Sequence, residues 1–208
     1  MCGINGIIYK KGMPDIHEIQ NMNSAIQHRG PDDSGIYKFK NILLGHVRLS
    51  ILDLSKNGKQ PMSNDGRYWI VFNGEIYNFN EIKKKLESKG HKFFSNTDTE
   101  VILNAYKEWG YKSFESFNGM WSFCILDQKE KKLIISRDRY GVKPCYIFSN
   151  NDKIIFSSEI KGVYSSKAHL DLDETKVLLT YKTKERCFKT DFKELDIIQP
   201  GHIYEINI

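Results

Sequence analysis

Between residues 120 and 158 four apolar, β-branched and aromatic runs follow one another closely: 120–127 (MWSFCILD), 132–137 (KLIISR), 144–149 (PCYIFS) and 153–158 (KIIFSS). Turn-forming residues separate them, and connections this short cannot carry the crossover that a parallel pair requires. They are therefore expected to pair as an antiparallel meander. Further strand-like runs lie at 3–9 (GINGIIY), 36–39, 42–51 and 67–73, and the closing stretch IIQPGHIYEINI reads as a loop and a strand. Helical spacing appears at 14–27, where Ile16, Ile19, Met22 and Ile26 share one face. A second helix is capped by Asn78 or Asn80 and carries Ile82 and Leu86 before a stop at Gly90. A third starts in SNTDTE, capped by Thr97 or Asp98 with Glu100 in its acidic first turn, and runs through Val101, Leu103 and Tyr106 toward Gly110. With 208 residues, 40% of them hydrophobic, the chain suits one large domain with helices as outer layers.

Composition excludes several function classes. No apolar run approaches the roughly 20 residues that span a bilayer, and the start lacks a basic-then-apolar leader, so the expectation is a cytoplasmic protein with no membrane partner. The formal net charge is +5, yet the lysines of IKKKLESKG and DQKEKKL are interleaved with acids. That is a solvated face, with no motif for nucleic acid. Cys2, Cys124, Cys145 and Cys187 are too irregularly spaced for a zinc site or a disulfide scaffold, so no metal is expected and the last three read as ordinary thiols.

Cys2 is different. A residue this small after the initiator lets the methionine be trimmed, which would leave a free α-amine and a thiol on one residue. With pKa values of about 7.7 to 8.0 and about 8.5, the amine can take the thiol proton near neutral pH. Asn73-Gly74 ends a strand and can offer a side-chain amide and a backbone N–H together as an oxyanion hole, or simply a hairpin turn. Arg48, in the apolar strand GHVRLSI, could meet a ligand carboxylate, the solvent, or an acid of the protein. Asp98 could cap its helix or hold a ligand ammonium.

Cys2 with GINGI, then RGPDDSG, HVRLSILD, QPM, NGEIYN, TDTE, FNGMWSF, RDRYGVKPCY and FSSEIK, in that order along nearly the whole chain, resembles the N-terminal glutaminase domain of the asparagine synthetase family. These are class II glutamine amidotransferases of the N-terminal nucleophile hydrolases. NGEIYN and RDRYGVKPCY are more similar to asparagine synthetase than to the phosphoribosyl-pyrophosphate or hexosamine amidotransferases.

The resemblance implies an α+β fold, a four-layer αββα sandwich of two mostly antiparallel sheets. It implies that Cys2 attacks the glutamine amide, with Asn73 and Gly74 as oxyanion donors. Arg48 would take the substrate carboxylate, and Glu75 and Asp98 its ammonium. Arg29, Gly30, Pro31 and Asp32 would belong to a loop covering the glutamine, although RGPDDSG alone is equally a Gly/Pro/Asp turn. Residues 1–208 would be the glutaminase domain, needing no cofactor. The synthetase half, with its SGG loop for ATP and its Mg, is absent from these residues, so a C-terminal or separate synthetase domain is the expected partner and oligomerisation stays open. The expected function is glutamine hydrolysis supplying ammonia, by default to aspartate. A non-aspartate acceptor and a non-catalytic interaction module are the alternatives, the latter opposed by the full chemical set of Cys2, Arg48, Asn73, Gly74 and Asp98.

Overall fold

Strand β1 (Gly3–Tyr9) is buried at every position, which requires cover on both faces. The computed structural model, which describes residues 1–183 and 190–208, supplies that cover. β1 lies within a six-stranded sheet of order β2-β3-β1-β8-β7-β9, made with β2 (Asp33–Phe39), β3 (Ile42–Arg48), β7 (Tyr146–Ser149), β8 (Lys153–Ser157) and β9 (Leu195–Ile197). The second sheet has the order β10-β6-β5-β4, with β4 (Tyr68–Ile76), β5 (Gly119–Asp127), β6 (Lys132–Arg137) and β10 (Ile203–Asn207). Every pairing among these named strands is antiparallel.

Three apolar layers separate four structural ones. Ile4, Ile8, Ile42 and Leu44 meet Val71, Leu126, Leu133 and Ile135 between the sheets. The opposite faces of the same strands, with Ile7, Leu43 and Ile155, pack against Ile19 and Met22 of α1 (Ile16–Ala25) and Val163 of α5 (Ile160–Tyr164). On the far side, α2 (Phe79–Glu87) and α3 (Asp98–Trp109) bury Ile82, Leu86, Val101 and Ile102 over Ile70, Phe123 and Ile134. Short α4 (Lys112–Glu115) adds Phe114, edge-on to Phe123, and α6 (Glu174–Thr183) precedes β9. The fold is therefore the expected αββα sandwich.

The expected single meander is corrected: β5 and β6 form a hairpin in one sheet, and β7 and β8 form another in the other sheet. The connection between them is a fixed crossing. The Asp138 carboxylate accepts from the backbone N–H groups of Tyr140, Val142 and Lys143 at 3.1, 2.9 and 2.9 Å. Arg137 donates to the carbonyls of Lys143, Ile198 and Gly141 at 2.7, 2.6 and 2.6 Å. Polar groups thus carry the chain between sheets with its backbone satisfied, and Cys145 drops into the middle layer.

Other boundaries also shift. β2 begins at Asp33, earlier than expected, and β3 ends at Arg48, short of Ile51, which is exposed. Thr97, not Asp98, caps α3, accepting from the Glu100 N–H. Asn78 stands before α2, but its side chain is spent on Ser116 O and the Asn118 N–H. Cys124 and Cys145 are buried free thiols; burial pushes both up, Cys145 to about 11. Cys187 lies outside the described residues. Among the described residues no helix is long and apolar enough to cross a membrane, and no group of three or more His, Cys, Asp or Glu side chains is arranged to hold a metal.

Candidate active site

The register that sets Gly3 opposite Val47 brings Cys2, just before β1, beside the end of β3 at Arg48. The half-buried Cys2 Sγ lies 3.4 Å from the Leu49 N–H nitrogen and 3.6 Å from the Leu49 carbonyl. Burial raises the thiol above its ordinary range; the Leu49 N–H, the N-terminal ammonium and Arg48 oppose that rise, while Asp98 adds to it. Behind it, Arg29 Nε donates to the Cys2 carbonyl at 3.0 Å and Arg29 also pairs with Glu159 at 3.0 Å.

β4 is an edge strand, so alternate residues turn their backbone groups away from β5. Along that outer edge Ile70 exchanges both backbone bonds with Met62. The Phe72 N–H donates to Gln60 Oε1 at 2.6 Å, and the Phe72 carbonyl accepts from His46 Nε2 at 3.1 Å. Burial pushes His46 down to about 4, so the ring is neutral. The Ile76 N–H donates to Asp98 Oδ2 at 2.9 Å. By the same alternation the Gly74 N–H faces outward between Phe72 and Ile76, and Gly74 lines a cavity there. A Cβ on Gly74 would stand 2.2 Å from the Met120 carbonyl oxygen, so only glycine lets β4 and β5 close at this point. Its neighbour Asn73, 1% exposed, has an Nδ2 with no hydrogen-bond partner among the described residues. A buried orphan donor is costly and asks for an acceptor.

Arg48 is 7% exposed, so it is not on a solvated face, and among the described residues no acid pairs with it. Its guanidinium donates to the backbone carbonyls of Ser55, at 3.0 Å, and Asp53. The turn closes over it because position 58 is glycine: a Cβ there would lie 2.2 Å from an Arg48 terminal nitrogen. Asp98, 5% exposed at the first turn of α3, is raised to about 6 by burial. The N–H groups of Ile76 and Thr99 counter that shift, and Glu75 adds to it.

Cys2, Arg48, Asn73, Gly74, Glu75 and Asp98 all line this one cavity of about 120 Å³. Arg29, Gly30, Pro31 and Asp32 do not. Gly30 is packed so closely that a Cβ would lie 2.3 Å from the Val47 carbonyl carbon. Pro31 bridges to Arg48, the Asp32 N–H donates to the Arg48 carbonyl at 3.0 Å, and Asp32 Oδ2 accepts from the Ser50 N–H at 2.7 Å. These contacts fasten the segment to Cys2, Arg48 and Ser50. Ile51, Leu52 and Asp53, in the segment after β3, line the cavity instead.

Sequence reasoning missed Leu49, Gln60, Thr99 and Lys143, which also line it. Gln60 stood in the QPM motif, but nothing local told that its carboxamide reaches a strand edge twelve residues on. Lys143 stood in RDRYGVKPCY, where only the crossing between sheets turns it inward.

Chemically, one cavity gathers a thiol, a buried amide donor, an outward backbone N–H, cationic side chains and two carboxylates. That set suits attack on a carbonyl in a ligand carrying an amino acid's zwitterion.

The family described as "Glutamine amidotransferase domain" matches residues 1–208. The chain is 48% identical over 186 residues to a putative glutamine-hydrolysing asparagine synthetase of Methanocaldococcus jannaschii, covering 80% of this chain and 36% of the relative. It is 37% identical over 179 residues to asparagine synthetase 1 of Bacillus subtilis, covering 84% and 28%. It thus spans about a third of the length of the curated relatives it matches. A solved glutamine phosphoribosylpyrophosphate amidotransferase from B. subtilis, complexed with ADP and GMP, superimposes with a TM-score of 0.74 at 22% identity, over 99% of this chain and 47% of that one. At that identity the likeness is one of fold.

Proposed function

The chain belongs to the glutamine amidotransferase domain family, and from that premise we propose that it hydrolyses the side-chain amide of glutamine, with Cys2 as the nucleophile and ammonia as the product passed on. The observation that carries this reading is the convergence of six chemically complementary residues on one cavity, among them Asn73, whose buried Nδ2 has no partner among the described residues.

In the proposed reaction, removal of Met1 frees the Cys2 α-amine, which takes the thiol proton as Sγ attacks the amide carbon. The developing oxyanion accepts from Asn73 Nδ2 and the Gly74 N–H. The proton moves to the leaving nitrogen, ammonia departs and a thioester remains. Water, deprotonated by the same amine, attacks the thioester and releases glutamate, returning the proton to sulfur. Arg48 holds the substrate carboxylate with the N–H groups left free by Ser55 and Asp53. Asp98 and Glu75 hold the ammonium.

Residues 1–208 serve in this reading as a glutaminase domain that uses no cofactor. ATP and Mg belong to a synthetase domain that would receive the ammonia and amidate aspartate. Support for such a partner comes from the names and lengths of the relatives. The test is glutamate release from glutamine by protein whose Met1 removal is verified by intact mass. Turnover lost in Cys2→Ala is the expected result. Turnover that survives Cys2→Ala, or full activity in a population that uniformly keeps Met1, would overturn the mechanism.

A further inference from the structure

The motif RDRYGVKP is not used by the chemistry above, yet its backbone is held by the side chains of Arg137 and Asp138. Asp138 and Arg137 fix the segment through its backbone, including the N–H and the carbonyl of Lys143. The side chain of Lys143 is thereby turned into the cavity that holds Cys2, with 3% of the residue exposed. Among the described residues no carboxylate pairs with its ammonium, which donates to the Met1 thioether at 2.8 Å. A thioether is a weak acceptor, and a buried cation without a counter-ion is costly. Trimming of Met1 would remove even that contact and leave the ammonium in the cavity that Cys2 lines.

We propose that Lys143 is a positioning residue for the Cys2 amine and thiol: its positive charge disfavours a second ammonium in the same cavity and favours the thiolate, so that the terminal amine is free to act as base near neutral pH. This inference rests on the reading of Cys2 as the nucleophile. Both effects have one physical cause, since a neighbouring cation lowers the pKa of an amine and of a thiol alike. Other charges face the same spot. Arg48 comes from β3, and Arg29, paired with Glu159, from behind. Glu75 from β4 and Asp98 from α3 act in the opposite sense. The Asp138 carboxylate, on Lys143's own segment, is occupied by backbone N–H groups. Burial and the charge of Arg29 depress the lysine's own pKa, and Asp138, Glu75 and Cys2 sustain it.

The test compares wild type, Lys143→Met and Lys143→Arg in the 208-residue chain, each with Met1 removal verified by mass. kcat/KM for glutamine and the rate of Cys2 alkylation by iodoacetamide are followed from about pH 5.5 to about pH 9.5. In Lys143→Met the acid limb of kcat/KM should move up by about one pH unit, a roughly tenfold loss on that limb. KM should change little, alkylation should shift in the same direction, and Lys143→Arg should restore the wild-type profile. Thermal melting should be no lower in Lys143→Met, because removing an unpaired buried charge does not weaken the fold. Profiles that superimpose on wild type, equal shifts in both variants, or a rise in KM alone would overturn the proposal. If wild type hydrolyses no glutamine, the functional reading fails by itself; the alkylation profiles then decide Lys143 alone, a shift supporting it and superposition overturning it.

Discussion

At the scale of single residues, the site stores unfavourable energy that a substrate would relieve. Asp98 binds a proton more tightly folded than unfolded, with a pKa of about 6 against an ordinary 3.8. By linkage the carboxyl's contribution to stability is neutral below the unfolded value, falls as pH rises through about 4 to about 6, and above that is a constant penalty of about 3 kcal/mol. Asp98→Asn can still accept from the Ile76 N–H, so it should raise Tm at pH 8, and the gain should shrink toward pH 4. The same variant should raise KM for glutamine at least about tenfold, since the ammonium loses a buried partner. Equal melting at pH 8 would show that the carboxylate carries no penalty. In wild type, glutamine affinity should fall as pH drops through about 6. Asn73→Ala tests the other stored cost: kcat should fall by about a hundredfold or more with a smaller change in KM, as expected when a donor acts on the transition state.

At the scale of elements, the edge of β4 is the part on which the proposed chemistry depends. Its outward backbone groups are capped on either side of Gly74 by Gln60 and His46 at Phe72 and by Asp98 at Ile76, which leaves the Gly74 N–H aimed by its neighbours. Gln60→Met keeps the shape but removes the acceptor, so the buried Phe72 N–H is orphaned at a cost of about 1–3 kcal/mol. A lower denaturation midpoint, with faster hydrogen exchange at Phe72 than at Ile125 of β5, is the expected result. Unchanged protection at Phe72 would mean that the edge is held by other contacts. The strands themselves were legible because β-branched and aromatic runs bounded by turns say where a strand lies. Their partners were not: the run at 132–137 is followed by one at 146–149 that belongs to the opposite sheet, and no local signal distinguishes a hairpin from a crossing held by Arg137 and Asp138.

At the scale of the whole molecule, the four layers bring the first residues, the end of β3, the edge of β4 and the start of α3 to one end of the space between the sheets. Every group the proposed hydrolysis uses lies within the first 98 residues, so the chain should release glutamate from glutamine without ATP. With aspartate and ATP added it should form no asparagine, because the proposed thioester chemistry cleaves an amide and includes no step that activates a carboxylate. ATP-dependent asparagine formation by these 208 residues, read by amino-acid analysis, would sink that division of labour. What the sequence by itself determined was the chemistry available: a cysteine next to the initiator, an Asn-Gly at a strand end, an arginine in an apolar strand and an aspartate at a helix start, because residue type and local periodicity are written in the chain. Only the tertiary structure decided how that chemistry is arranged. Arg48 is fixed by two backbone carbonyls, the 29–32 segment is bonded to the backbone of Cys2, Arg48 and Ser50 and is outside the cavity lining, and Lys143 enters the cavity from a motif some 140 residues away from Cys2 in the chain. Burial and orphaned hydrogen-bond groups arise only when distant segments pack together, and no local pattern encodes them.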